Sequence, residues 1–236
     1  MTITSPANQH LKEIRKLSGA SPRAESARFV AEGEDLVTTA EAVGWTPSFV
    51  VCAPGLAQGR TGWVEVEPTL LSKVSTLGSG ARVIGVYPQH WGAIVGPLAV
   101  ALWGVGDPGN VGTVIRAAHA FGAACVGIGP GSADPYGVRA VRASMGAIFE
   151  VPVARFERLD DLPADVIALA PGAHPPLRGP IRDGTLLVGA ERDGLPADVL
   201  ARATRVHAIP QAAGDSLNAA MAATVALYEA TRMAAP

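Results

Sequence analysis

Short apolar runs alternate along this chain with segments whose apolar residues fall at helical spacing, and that alternation constrains the fold more than any other feature. The runs at residues 98–105, 124–128 and 166–170 are apolar throughout, and those at 185–188 and 206–209 are apolar but for Thr185 and His207, the pattern of strands covered on both faces. Between the first two, Val111, Val114, Ile115 and Ala118 line one face of a helix, and residues 138–148 read as another. The last helix carries Leu217, Met221, Val225 and Tyr228 on one stripe, with Asp215 or Ser216 as its N-cap. Strands that alternate with helices build a mainly parallel sheet with helices on both faces. The expected fold class is therefore α/β.

The first part repeats the theme on a smaller scale. Strands are expected at 48–52, 63–66 and 81–86, and helices at 32–42 and 68–77. We divide the chain into a small α/β domain at 1–87, a Pro/Gly/His/Trp linker at 88–97 and a larger domain at 98–236. Residues 83–106 lack acids and bases over a length that spans a bilayer, but Pro88, Gln89, His90 and Pro97 interrupt them, so strand, linker, strand fits better than a membrane helix. The first thirty residues hold no apolar run of signal-peptide length. Cys52 and Cys125 sit in apolar runs as buried reduced thiols, and no His or Cys pair has metal-ligand spacing. These features together predict a cytoplasmic protein with no metal and no membrane partner.

Residues 104–109 spell a literal G-x-G-x-x-G after a strand, the turn that holds a dinucleotide pyrophosphate. Pro108 removes one N–H from that turn, and no acid ends the next strand to bind a ribose. A nicotinamide-dependent oxidoreductase is thus a weak rival.

A longer pattern is more specific. Asn110-Val111-Gly112 opens a helix that carries Arg116. Leu187-Val188-Gly189-Ala190-Glu191 leads to Gly194-Leu195, and Ile209-Pro210-Gln211 precedes Ser216-Leu217-Asn218. Three such blocks in this order, with Arg142-Ala143-Ser144-Met145-Gly146 between the first two, resemble the SpoU/TrmH-type RNA ribose 2′-O-methyltransferases of the SPOUT superfamily. Gln211 stands where that pattern often has Met. In the first domain, Phe29-Val30-Ala31-Glu32-Gly33 resembles the start of the small RNA-binding domain that precedes many of these enzymes.

The resemblance implies a SPOUT-type parallel sheet with a deep trefoil knot, a homodimer and S-adenosylmethionine as cofactor. It marks Arg116, Asn110, Glu191, Ser216 and Asn218 as catalytic, with Glu191 orienting Arg116 or Asn110. Cofactor contacts are expected at Gly189, Ile209 and Leu217, and secondarily at Leu187, Ala190 and Ala170. A guanidinium stays protonated in almost any setting, so Arg116 is expected to hold a phosphate and stabilise the forming alkoxide rather than act as a base. Structured RNA is the implied substrate, rRNA ahead of tRNA; a catalytically silent RNA- or ribosome-binding module is the non-enzymatic alternative.

Charge tests that substrate class. With 19 basic and 21 acidic residues the formal net charge is −2, which by itself argues against a nucleic-acid partner. Distribution restores the case: Lys12, Arg15, Lys16, Arg23 and Arg28 crowd into the first thirty residues, and Arg139 and Arg142 fall near the first motif. These seven are the expected RNA contacts.

Overall fold

The computed structural model describes residues 2–77, 80–163, 165–213 and 217–232. Two sheets organise them. The first has β1 (Arg28–Glu32), β2 (Phe49–Cys52), β3 (Trp63–Glu65) and β4 (Val83–Pro88) in the order β1-β4-β2-β3. It is mixed: β4 runs antiparallel to β1 and β2, and only β2 and β3 are parallel. Helices α1 (Gln9–Lys16), α2 (Ala20–Ser26), α3 (Glu34–Ala42) and α4 (Pro68–Val74) surround it. The sequence reading missed α1 and α2, and it extended α3 back through Glu32. Glu32 instead ends β1, and its buried carboxylate accepts hydrogen bonds from the Ser75 hydroxyl and from the Thr76 N–H and hydroxyl. The helix starts after Gly33, whose φ of +123° turns the chain.

The second sheet is parallel throughout. Its strands are β5 (Leu98–Leu102), β6 (Cys125–Ile128), β7 (Val153–Arg155), β8 (Val166–Leu169), β9 (Gly184–Val188) and β10 (Arg205–His207), in the order β10-β8-β9-β5-β6-β7. Every residue of β5, β6, β8 and β9 is buried, as strands enclosed on both faces require. The remaining helices are α5 (Pro108–Ala120), α6 (Val138–Ala143), α7 (Ala197–Arg202) and α8 (Ala219–Thr231). The helix expected over 138–148 stops at Ser144, because Met145 and Gly146 both take left-handed conformations (φ 49° and 92°) before a short 3-10 turn.

Helix α8 departs from expectation at its cap. Its N-cap is Asn218, whose side-chain oxygen accepts from the Ala220 and Met221 N–H groups; Asp215 and Ser216 lie outside the described residues. Its inward face is made of Ala219, Ala220, Ala223, Ala226, Leu227 and Ala230. The apolar stripe read from the sequence faces outward, with Met221 62%, Val225 42% and Tyr228 57% exposed. Among the described residues, no helix is long and apolar enough to cross a membrane.

The two sheets share one core. Phe29, Ala31, Leu36, Ala40 and Tyr87 from the first join Leu98, Val114, Ile115, Tyr136 and Phe149 from the second. Aromatic contacts mark the seam: Phe29 lies 4.8 Å from Tyr136 and 5.9 Å from Phe149, and Tyr87 lies 5.1 Å from Phe149. The segment between the sheets is stapled down as well. Gln89 donates to the Arg23 and Arg28 carbonyls, and the His90 carbonyl accepts from Tyr136 Oη at 2.6 Å.

Candidate active site

In parallel α/β sheets, ligands bind beyond the carboxyl ends of the strands. The first and second motifs emerge at that edge. Behind β5 the chain turns through Gly104 (φ 71°) and reaches Asp107, whose carboxylate accepts from Asn110 N–H at 3.0 Å and caps α5. A dinucleotide pyrophosphate would need that helix N-terminus, and the Asp107 carboxylate already occupies it. Pro108 fits at the first turn because its missing N–H has no partner to lose there.

Asn110 sits in the first turn of α5. Its Nδ2 donates to Glu191 Oε1 at 2.7 Å, and its Oδ1 accepts from Asn218 Nδ2 at 3.1 Å. Asn218 in turn caps α8. One polar chain, Glu191–Asn110–Asn218, thus joins the three sequence motifs from positions 81 and 108 residues apart. Of the two roles open to Glu191, the structure shows the contact with Asn110; no hydrogen bond links Glu191 to Arg116 among the described residues. Arg116 lies two turns further along α5, exposed to solvent. Ser216, the remaining expected catalytic residue, lies outside the described residues.

Beside this chain opens a cleft. Loops after β8, β9 and β10 and the start of α8 form it. Ala170, Gly189, Ala190, Ile209 and Leu217 line it, as does Glu191. Leu187 does not: it is fully buried and packs with Ala101, Phe156 and Val199 on the other side of the sheet. Its neighbour Val188 lines the cleft in its place, since adjacent strand residues point to opposite faces. Leu169, Pro171, Gln211 and Ala222 also line the cleft and were not anticipated.

Gly189 is also required by the packing of the chain against itself. A Cβ there would stand 2.5 Å from the Gly194 carbonyl carbon and 2.6 Å from Leu195 N. Its bare backbone lets the 190–194 loop fold flat against β9, closed by Ala190 and Gly194 exchanging N–H···O bonds of 3.1 Å each. The loop forms one wall of the cleft. Apart from Glu191, Arg192 and Gln211, the lining is small or aliphatic side chains and main chain, which suit an adenine ring and a methionine stem.

The basic residues divide. Lys12, Arg15, Lys16, Arg28, Arg139 and Arg142 remain candidates for RNA contact. Arg28 pairs with Glu13 at 2.6 Å, and Arg139 pairs with Asp107 at 3.1 Å. Arg139, Arg142 and Val138 line a wide groove that Ser18, Ala20 and Thr76 border from the first half. Arg23 is a correction to the expected RNA set. Only 5% of it is exposed, and its guanidinium is committed to Asp134 at 2.8 Å and to the Leu17 and Ser18 carbonyls. It is an internal strut between the halves.

A six-stranded parallel sheet with this cleft and this polar chain on its carboxyl edge defines a class: the SPOUT-type RNA methyltransferases. The chain belongs to the SpoU rRNA Methylase family, whose profile matches residues 97–228; a profile of the MRM3-like substrate binding domain matches residues 8–85. Among relatives, the 23S rRNA (guanosine(2553)-2′-O)-methyltransferase RlmP of Bacillus subtilis is 29% identical, with 96% of this chain and 97% of that one covered. An uncharacterized tRNA/rRNA methyltransferase of Synechocystis, slr1673, is 29% identical over 98% of this chain and 93% of its own length. The crystal structure of an AdoMet-bound rRNA methyltransferase from Sinorhizobium meliloti is 32% identical and superposes with a TM-score of 0.86, covering 98% of this chain and 97% of that one.

Proposed function

We propose that this protein transfers a methyl group from S-adenosylmethionine to a ribose 2′-hydroxyl of structured rRNA. The observation that carries the reading is the Glu191–Asn110–Asn218 chain, which brings three separated motifs together at the lip of a cleft fitted to the cofactor. When bound, S-adenosylmethionine supplies a sulfonium methyl group for in-line displacement. The protein holds the cofactor through the Gly189 loop, Ile209, Leu217 and Ala170 and excludes water from the apolar wall. Glu191 fixes the Asn110 amide through a charge-assisted bond, leaving that amide one conformation beside the cleft. Arg116 binds the phosphate next to the target ribose and stabilises the oxyanion as the 2′-hydroxyl passes its proton to that phosphate and on to water. We assign Ser216 to the same site on the motif alone.

The rRNA assignment rests on the matched family and on the substrate-binding profile over 8–85. We read residues 1–87 as the domain that grips RNA, 88–97 as the connection and 98–236 as the methyltransferase domain, acting in the cytoplasm. We also infer the trefoil knot, supported by the sheet order, in which β9 lies between β5 and β8, and by the family.

The protein works as a homodimer in this reading. Helices α5 and α8 lie side by side, with Phe121 meeting Tyr228 edge-on at 6.2 Å, and the outward face of Met221, Val225 and Tyr228 is apolar enough to need a partner. A second copy on that face completes the site near the exposed Arg116. Light scattering checks it: wild type elutes at twice the mass of the chain, and Tyr228→Glu elutes as monomer.

The central test offers tritiated S-adenosylmethionine and the protein to rRNA or tRNA from a strain lacking the gene. Label enters rRNA as ribose-methylated nucleotide, and Arg116→Ala lowers the rate by a factor on the order of 100 or more. Label in tRNA alone overturns the substrate. Transfer unchanged in Arg116→Ala overturns that residue's role, and no transfer to any RNA leaves a binding module.

A further inference from the structure

At the far end of the carboxyl edge lies a second pocket, which the motifs do not touch. The loop after β6 (Gly129, Pro130, Gly131 and Ser132), Trp91 and the end of β7 line it, and it opens to solvent. The Arg155 guanidinium lies 4.0 Å from the centroid of the Trp91 ring. Trp91 itself is fixed: its Nε1 donates to Gln89 Oε1 at 3.0 Å, and its ring meets Tyr136 edge-on at 5.1 Å. The arginine is therefore held over a rigid platform.

What holds Arg155 leaves its hydrogen-bonding capacity intact. Two carboxylates line the same pocket, yet among the described residues Arg155 forms no ion pair with either. Asp134 is committed to Arg23 at 2.8 Å and to Tyr136 N–H at 2.9 Å. Glu157 stands at the rim with no side-chain partner among the described residues. A guanidinium set on an aromatic face, with its N–H fork uncommitted, is suited to a phosphate or a stacked base.

We propose that this pocket binds a nucleotide of the RNA flanking the one that is methylated. Arg155 takes its phosphate, the glycine turn lets its sugar and base approach the backbone, and Glu157 accepts from an amino group of the base. The position fits. Strands β9 and β7 are separated by three strand spacings, about 14 Å, so a short run of single-stranded RNA reaches from the cofactor cleft to Arg155 along one sheet edge. The proposal deepens the RNA methyltransferase reading and rests on it.

Binding of protein-free rRNA from the deletion strain, measured without cofactor across a salt series, tests the pocket. Arg155→Gln weakens binding about tenfold at low salt and makes the log–log salt slope shallower by about 0.7 to 0.9, the signature of one lost phosphate contact. Arg155→Lys retains the charge without the planar stack and falls between the two. S-adenosylmethionine affinity and melting temperature stay at wild-type values, because Arg155 is exposed and distant from the cleft. Wild-type affinity and slope in Arg155→Gln overturn the proposal, as does a loss of affinity with the slope unchanged. Failure of the wild type to methylate any RNA overturns the parent reading instead, while the cofactor-free binding data still decide for or against the pocket.

Discussion

If the Asn110–Glu191 contact organises catalysis, removing either partner should do nearly the same damage as removing both. The bond is 2.7 Å long, accepts at a carboxylate and is half-buried. Hydrogen bonds to charged groups contribute about 1.5–3 kcal/mol, and the partial exposure here favours the lower end. A coupling of about 1.5 kcal/mol corresponds to roughly a tenfold departure from additivity in kcat/KM. Asn110→Ala, Glu191→Ala and the double variant should therefore be measured with tritiated cofactor and rRNA, under conditions where all three stay folded. The expected double variant is about tenfold more active than the product of the single losses predicts. Glu191→Gln keeps an accepting oxygen but loses the charge, so it should retain more activity than Glu191→Ala. Strictly multiplicative single effects would mean that the two residues act independently, and the positioning role of Glu191 would be wrong.

Other expectations follow from individual contacts. Arg23→Met leaves Asp134 without its buried partner; because the Asp134 side chain is 31% exposed and can rehydrate, the loss is about 2 kcal/mol. That lowers Tm by roughly 4–8 °C for a chain of this size, while the salt dependence of RNA binding stays unchanged, as a strut and not a phosphate contact requires. Gly189→Ala drives a methyl group into the Gly194–Leu195 backbone and displaces the cleft wall, so calorimetry should show S-adenosylmethionine affinity falling more than tenfold. Burial pushes the Cys52 and Cys125 thiols up from their ordinary range and so lowers the reactive thiolate fraction. Neither should react with a thiol reagent at pH 8 in the native protein, and both should react once urea unfolds it.

The parallel sheet and the three motifs were legible because buried strands are uniformly apolar and the motif residues are local. The same uniformity hid which side of β9 faces the cofactor. With Leu186, Leu187 and Val188 all apolar and all buried, no alternation distinguished Leu187 from Val188. Helices α1 and α2 escaped notice because each is a short polar segment; α1 buries only Leu11 and Ile14. Arg23 was misread because counting bases gives no depth. Its partner Asp134 lies 111 residues away, and only the folded chain brings them together. The outward stripe on α8 was recognised as apolar, but its side could not be read. A helix whose inner face is almost entirely alanine carries its larger side chains outside, so an apolar stripe of this kind suits an intermolecular face as well as a core.

The aromatic seam also governs how the enzyme meets its substrate. Phe29, Tyr87, Tyr136 and Phe149 interlock across the two halves, and Arg23 bolts them together a second time. Among the described residues that joint is packed, not open. With the two halves sharing one core, the expected behaviour is that neither half swings over an RNA to search for a match. Selection has to come from the RNA's own fold: a target is modified when its contour already fits the rigid outline, and a flexible transcript that carries the right nucleotide in the wrong shape is passed over.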